Sequence, residues 1–392
     1  MVRILRLSAK GILFTCASIL FLEVILRIAA FGWYHSEYYL FYGFHNWVGR
    51  VGINPWSTFG GEYYKFPPRY ILRGANGQGE ETATINSHGF RGPDFETVKP
   101  TGIFRVICLG ESSTFGYHDR DDETYPFLLG RLFAQEKLPV EVDNAGFPYY
   151  NTGSILNLFQ NEILKYEPDL ITLYAGFNDT GWPLRIGRLG RVTLWFESHS
   201  ITYLLLRQQM GSLAFQAELK VIETLIPQKL PRAELNKDSE LIVHRYAENV
   251  RTIVRIAKSH GVRTILIKQP ITAHDRNYVS LSYEQEYRNV RDKFERGETL
   301  SYIDIFILRQ HRLMEELETI AQEEKLPLVD NIRIVDQDRR RLTSWVHLTG
   351  EANLRLAEAL EPVIKPYVLQ SQASATRGLL RPSTVGATST LK

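Results

Sequence analysis

Three side chains with complementary chemistry lie far apart in this chain. Ser112 sits in GESSTFG, directly after the apolar run IFRVICLG (103–110). Asn178 and Asp179 belong to GFND (176–179), at the end of DLITLYAG (169–176). His347 sits in SWVHLTGEAN, ahead of the helical stretch ANLRLAEALEPVI, with Thr349 placed to cap that helix. A serine hydroxyl needs a base before it can attack an ester at neutral pH. The tetrahedral oxyanion then needs preorganised donors, each worth about 2.7–4 kcal/mol. A carboxamide such as Asn178 donates without an ionisable proton. Serine, asparagine, histidine and nearby backbone amides are therefore the parts of an acyl-transfer site. Taken alone, His347 reads better as a structural histidine held by a capping turn. Taken with the other two loops, it reads as the base.

Such chemistry requires convergence, and the pattern of elements says how it arises. IFRVICLG (103–110), VEVDNAG (140–146), DLITLYAG (169–176), RTILIKQP (263–270) and LPLVDN (326–331) are short apolar runs cut off by Gly, Pro or Asn. Helical spacing separates them, in 124–137, 152–166, 239–261 and 314–325. Alternating strand and helix predicts an α/β domain with a parallel sheet covered on both faces. In such sheets functional groups collect beyond the carboxyl ends of the strands. The loops holding Glu111-Ser112-Ser113, Phe147-Pro148-Tyr149, Phe177-Asn178-Asp179 and Thr272-Ala273-His274-Asp275 should thus share one edge.

These same residues resemble the SGNH/GDSL hydrolases. GESSTFG (110–116) resembles that family's Gly-Asp-Ser block, and NAGFPYYNT (144–152) resembles its Asn-x-Gly-x-x-Gly block. GFND (176–179) matches Gly-x-Asn-Asp, and SWVHLT (344–349) resembles Asp-x-x-His-Leu-Thr. The order and approximate spacing of all four agree over residues 100–365. INSHGFRG (85–92) and the leading apolar segment also look like a membrane-attached branch found with bacterial exopolysaccharide systems. The resemblance implies a flavodoxin-like, three-layer α/β/α SGNH-hydrolase domain with a mainly parallel sheet. It implies Ser112 as nucleophile and His347 as general base. The oxyanion hole would be built from the N–H of Ser112, an N–H at Tyr149 and the amide of Asn178. Gly110, Glu111, Gly146, Gly176 and Asp179 would support the site, and no cofactor or metal is implied.

Three residues depart from the family pattern. Glu111 stands in place of Asp and should still buttress the turn. Tyr149 falls where a Gly is expected, so its side chain could crowd the pocket or change the backbone angle. Ser344 occupies the place of the triad Asp, which normally fixes the imidazole tautomer and stabilises the imidazolium. A backbone carbonyl could hold Nδ1–H instead, or another carboxylate could serve: Asp275, Asp336 or Asp338.

The bulk numbers permit this reading. The 392 residues suffice for one large α/β domain with appendages. A net charge of +2 gives no reason to expect a nucleic-acid partner. The two cysteines, Cys16 and Cys108, lie in apolar runs and suggest neither a disulfide framework nor a metal cluster. HDRDDE (118–123) reads as a solvated loop rather than a cation site.

Residues 11–33, GILFTCASILFLEVILRIAAFGW, are long enough to cross a bilayer as a helix. Arg3, Arg6 and Lys10 precede them, which places the first ten residues in the cytoplasm and the rest outside it. Glu23 and Arg27 are placed to pair on one helix face. A cleaved signal peptide is the alternative. Residues 34–100 read as strands and turns leading into the main domain, 101–368. Residues 181–238 read as a helical insert, and 369–392 as a disordered tail.

The expected function is a carboxylic-ester hydrolase, membrane-anchored and extracytoplasmic, acting on O-acyl groups of a glycan. The same residues could transfer the acyl group to sugar hydroxyls instead. Ser344 and Tyr149 keep open a third reading: a fold that binds glycan or a protein partner without turnover.

Overall fold

The computed structural model describes residues 11, 14–26, 28, 65, 71–73, 82–117, 119–181, 232–273 and 281–379. His118, His199, His274, Asp275 and nearly all of the 181–238 insert lie outside these residues. An antiparallel pair, β1 (Ile71–Arg73) and β2 (Thr82–Thr84), precedes the main sheet. That sheet holds β3 (Phe104–Gly110), β4 (Val140–Gly146), β5 (Leu170–Tyr174), β6 (Arg263–Lys268) and β7 (Leu328–Asp330). All four strand pairs in it are parallel, in the order β4-β3-β5-β6-β7. This is the flavodoxin-like order. The chain turns outward from β3 to β4 and then returns to β5 on the other side. The switch point, where such folds place their ligands, therefore lies between β3 and β5.

The strands are apolar on both faces because both faces are covered. Ile107, Leu109, Ile171, Leu173 and Leu266 point into one layer. It is formed by α3 (Thr152–Asn161), α4 (Arg232–Ser259) and α6 (Tyr302–Glu324). Val106, Cys108, Leu170, Ile265 and Ile267 point the opposite way. They meet α2 (Tyr125–Gln135) and α8 (Gly350–Leu379). Among the described residues this domain also holds α1 (Ser112–Phe115), α5 (Tyr283–Arg296) and α7 (Asn331–Asp336).

Several boundaries differ from the sequence reading, each for a physical reason. Helix α6 begins at Tyr302, well before 314, because Ser301 and Asp304 form a capping box there. Its first turns bury Ile305, Phe306 and Ile307 together, which hides the helical period. Helix α5 had no counterpart in that reading, since few of its residues, Tyr283, Glu286 and Val290 among them, are buried. Helix α8 runs to Leu379, through residues read as the start of a tail. It passes over Pro362 and Pro366, each of which removes a ladder hydrogen bond. The buried row Leu356, Leu360, Ile364 and Val368 holds it against the sheet.

The last part of the segment leading into the domain, 82–100, contributes to the core. Phe90 and Phe95 pack with Phe147 and Tyr166 inside the main cluster. HDRDDE is a solvated loop only in part: Arg120 and Asp122 are exposed, but two of its acids are tied into the fold. Asp119 is buried and accepts from Asn353 Nδ2 at 2.8 Å, while Asp121 pairs with Arg91. No group of side chains suited to hold a metal is found among the described residues.

Near the N-terminus, residues 14–26 are helical, and Phe14, Leu20, Phe21, Val24 and Ile25 are exposed. The hydroxyls of Thr15 and Ser18 donate to carbonyls one turn back, those of Gly11 and Phe14. Among the described residues no helix is long and apolar enough to cross a membrane.

Two glycines separate close approach from open space. A Cβ on Gly146, at the end of β4, would collide with the backbone of Thr114 and Phe115 in α1. A Cβ on Gly130, within α2, would meet Val142 at ordinary contact distance, 3.6 Å. Gly146→Ala should therefore cost about 1–3 kcal/mol or more. Gly130→Ala should be neutral or stabilising by about 0.5–1 kcal/mol. Urea unfolding of the two variants checks both signs.

Candidate active site

The three chemically competent side chains meet at the carboxyl edge of the sheet. Strand β3 ends at Gly110 and the chain turns at once into α1, which begins at Ser112. As the first helical residues, Ser112 and Ser113 have no carbonyl one turn back for their N–H groups. His347 Nε2 lies 2.8 Å from Ser112 Oγ, although the residues are 235 positions apart. The histidine loop closes on itself: Thr343 N–H donates to the His347 carbonyl at 2.8 Å, and Leu342 bridges Leu348. Thr349 Oγ1 accepts from Ala352 N–H, so the N-cap expected from sequence is in place. The Tyr117 ring lies 5.4 Å from the imidazole and forms one wall.

The partner of the imidazole's other nitrogen is Ser344 itself. Its Oγ lies 2.6 Å from His347 Nδ1. For Ser112 to donate to Nε2, the ring proton must sit on Nδ1, and Ser344 Oγ accepts it there. Two of the suggested substitute carboxylates are taken up elsewhere. Asp336 accepts from Tyr283 N–H and Arg339, and Asp338 from Arg340. Asp275 lies outside the described residues. The sequence offered a backbone carbonyl or another carboxylate as the group that orients His347; the hydroxyl of Ser344 itself stands in that place.

Asn178 stands on the next turn, just beyond β5. One hydrogen of its Nδ2 goes to the Tyr150 carbonyl at 2.8 Å, which fixes the amide plane. The second hydrogen remains for a ligand. Tyr149 holds φ 64°, the left-handed conformation that a glycine would adopt freely. This conformation costs a non-glycine residue about 1–2 kcal/mol of strain.

The residues expected to support the site are bonded to one another's turns. Glu111 is fully buried, and its Oε1 accepts from the N–H groups of Gly176 (2.9 Å) and Asn178 (3.2 Å). The carboxyl before the serine thus ties down the asparagine turn. Asp179 accepts from Thr152 N–H and Oγ1, joining the same turn to the start of α3. Gly146 N–H donates to Asn144 Oδ1 at 3.0 Å. Gly110 gives its carbonyl to Phe147 N–H at 3.1 Å, and a Cβ there would strike Thr114.

Arg91 is a supporting residue that the motif reading did not single out. Its buried guanidinium donates to the carbonyls of Phe115, Gly116 and Asp119, immediately after α1. Arg91 lies within INSHGFRG (85–92), but nothing in spacing alone shows that an arginine will be buried.

With the geometry in place, the chain can be compared with known proteins. Residues 108–354 match the model of the GDSL-like lipase/acylhydrolase family. The chain belongs to that family. Solved structures it resembles include a lipase/acylhydrolase from Enterococcus faecalis. That pair shares 18% identity and a TM-score of 0.41, over 67% of this chain and 96% of that one. The psychrotrophic esterase EstA from Pseudoalteromonas sp. shares 11% identity and a TM-score of 0.39, over 68% and 98%. An acetyl xylan esterase, AlAXEase, shares 12% identity and a TM-score of 0.40, over 67% and 100%. No curated protein matches the chain.

This GDSL-like chain carries unusual electrostatics behind its serine. Burial pushes the Glu111 carboxyl up to about 8, with Asp179 adding repulsion and the Gly176 and Asn178 N–H groups opposing. Asp179 is itself pushed up to about 7, again by burial. A proton on Glu111 is therefore held more tightly in the folded chain than in the unfolded one. The stability tied to it is complete below about pH 4.5 and is lost as pH rises through about 8. Urea midpoints should fall across that window, and Glu111→Gln should flatten the fall. An equal slope in the variant would show that Glu111 does not titrate there.

Proposed function

We propose that this chain is a serine esterase, with Ser112 as nucleophile and His347 as general base and then general acid. The observation that carries the reading is the relay Ser112 Oγ–His347 Nε2 at 2.8 Å and His347 Nδ1–Ser344 Oγ at 2.6 Å. As Ser112 Oγ attacks the ester carbonyl, its proton passes to Nε2. The oxyanion forms beside the N–H of Ser112 and the remaining N–H of Asn178, with an N–H at Tyr149 as the third donor. Collapse expels the alcohol, which takes the proton from Nε2. Water then repeats the sequence on the acyl-enzyme.

The substrate class we propose is the O-acyl group of an extracytoplasmic glycan. Two features support the location. The helical residues 14–26 carry exposed Phe, Leu, Ile and Val side chains. Arg3, Arg6 and Lys10 precede them, as the positive-inside rule requires of an outward-facing anchor. Transfer to a sugar hydroxyl would use the same relay, with an acceptor in place of water.

Ser344 sets the expected rate. A hydroxyl orients the imidazole but brings no charge to stabilise the imidazolium. On p-nitrophenyl acetate, Ser112→Ala should abolish turnover. Ser344→Ala should lower kcat about 2–10-fold, the worth of one neutral hydrogen bond. Ser344→Asp, which restores the family's carboxylate, should raise kcat about tenfold. Equal rates for wild type and Ser112→Ala, on this ester and on acetylated glycans, would leave a binding protein as the reading. For the location, deleting residues 1–33 should move the protein from the membrane fraction to the soluble one. Retention at the membrane would count against the anchor.

A further inference from the structure

Gln269 lies outside all four motif blocks, one residue past β6 and one before Pro270. It is fully buried. Its side chain meets the neighbours of all three reacting residues. Oε1 accepts from Phe177 N–H at 2.7 Å, and Phe177 precedes Asn178. Nε2 faces Glu111 Oε2 at 3.3 Å, and Glu111 precedes Ser112. The same nitrogen lies 3.4 Å from Ser113 Oγ, which donates to the Val346 carbonyl at 3.0 Å. Val346 precedes His347. The backbone of Gln269 is clamped as well: its N–H points at Met314 Sδ (3.1 Å) and its carbonyl accepts from Gln310 Nε2 (3.1 Å), both on α6.

We propose that Gln269 is a positioning residue that sets the nucleophile turn, the asparagine turn and the histidine loop relative to one another. The proposal rests on the esterase reading above and deepens it. Three loops from distant parts of the chain have no covalent reason to keep a common register. A primary amide suits the task because it offers an acceptor and two donors in one rigid plane. The acceptor holds the asparagine turn; the donors reach the carboxyl and the hydroxyl on either side of Ser112. Neither a carboxylate nor an apolar side chain of this size could make that set. Glutamate would lose both donors and face Glu111 with a second acid. Methionine would leave the Phe177 N–H unpaired. Misplacement of reacting groups by a fraction of an ångström slows the chemical step more than it weakens substrate binding.

The test compares wild type, Gln269→Met and Ser112→Ala, all as full-length protein in detergent, with p-nitrophenyl acetate as substrate. The expected result is a kcat at least tenfold lower in Gln269→Met, with KM within about twofold of wild type. Both are measured at a temperature where circular dichroism shows the variant folded. A folded variant with wild-type kcat overturns the proposal and leaves the esterase reading intact. Wild type no faster than Ser112→Ala overturns both. If Gln269→Met does not fold, Ser113→Ala decides. It removes the hydroxyl that links Gln269 to Val346 and should lower kcat several-fold at constant KM. An unchanged kcat there overturns the proposal.

Discussion

One hydrogen bond, Ser112 Oγ to His347 Nε2, joins residues 235 positions apart and depends on nearly everything else in the domain. It forms only if β3 ends flush with β4 and β5, so that Gly110, Gly146 and Tyr174 lie side by side. It also requires α8 to start at the right height, because His347 hangs from the turn that caps that helix. The packing of α8 and α2 against Val106, Cys108, Ile265 and Ile267 fixes that height. A contact between two loops is in this sense a reading of the whole sheet.

The site divides its polar groups between two tasks. Behind the serine, Glu111 and Asp179 are buried and spend their lone pairs on backbone N–H groups and Thr152. Those bonds stiffen the turns that present Ser112 and Asn178. Beside the histidine stands a neutral hydroxyl. An acid at position 344 would both orient and charge-balance the imidazole; a serine does the first alone. On the proposed mechanism the electrostatic help for a developing imidazolium is correspondingly smaller, while Ser344 Oγ lies where it can accept the Nδ1 proton that the mechanism needs.

Much of this was written in the sequence in readable form. Short runs cut off by Gly, Pro or Asn marked the strands. The buried β3 and β5 leave continuous apolar runs, and the edge strand β4, only half-buried over its first residues, was still read to the residue because Gly146 ends it. The loops after β3 and β5 gave Ser112 and Asn178 by position alone. Helices were harder wherever burial was one-sided in the wrong way. The start of α6 is too apolar to show a period, and α5 is too polar to show a buried stripe. Side-chain partners were the least legible. Ser344 looked like a loss because the family pattern names the residue type, whereas the imidazole needs only an acceptor at the right distance. Gln269 and Arg91 act through geometry that no local spacing encodes.

The account stands on Ser112 being activated by His347, and a mechanism-based label reads this directly. A fluorophosphonate should attach to the full-length protein once, at Ser112, as located by mass spectrometry of its peptides, and His347→Gln should prevent the attachment. No adduct on wild type, an adduct on Ser113, or equal labelling of the histidine variant would contradict it.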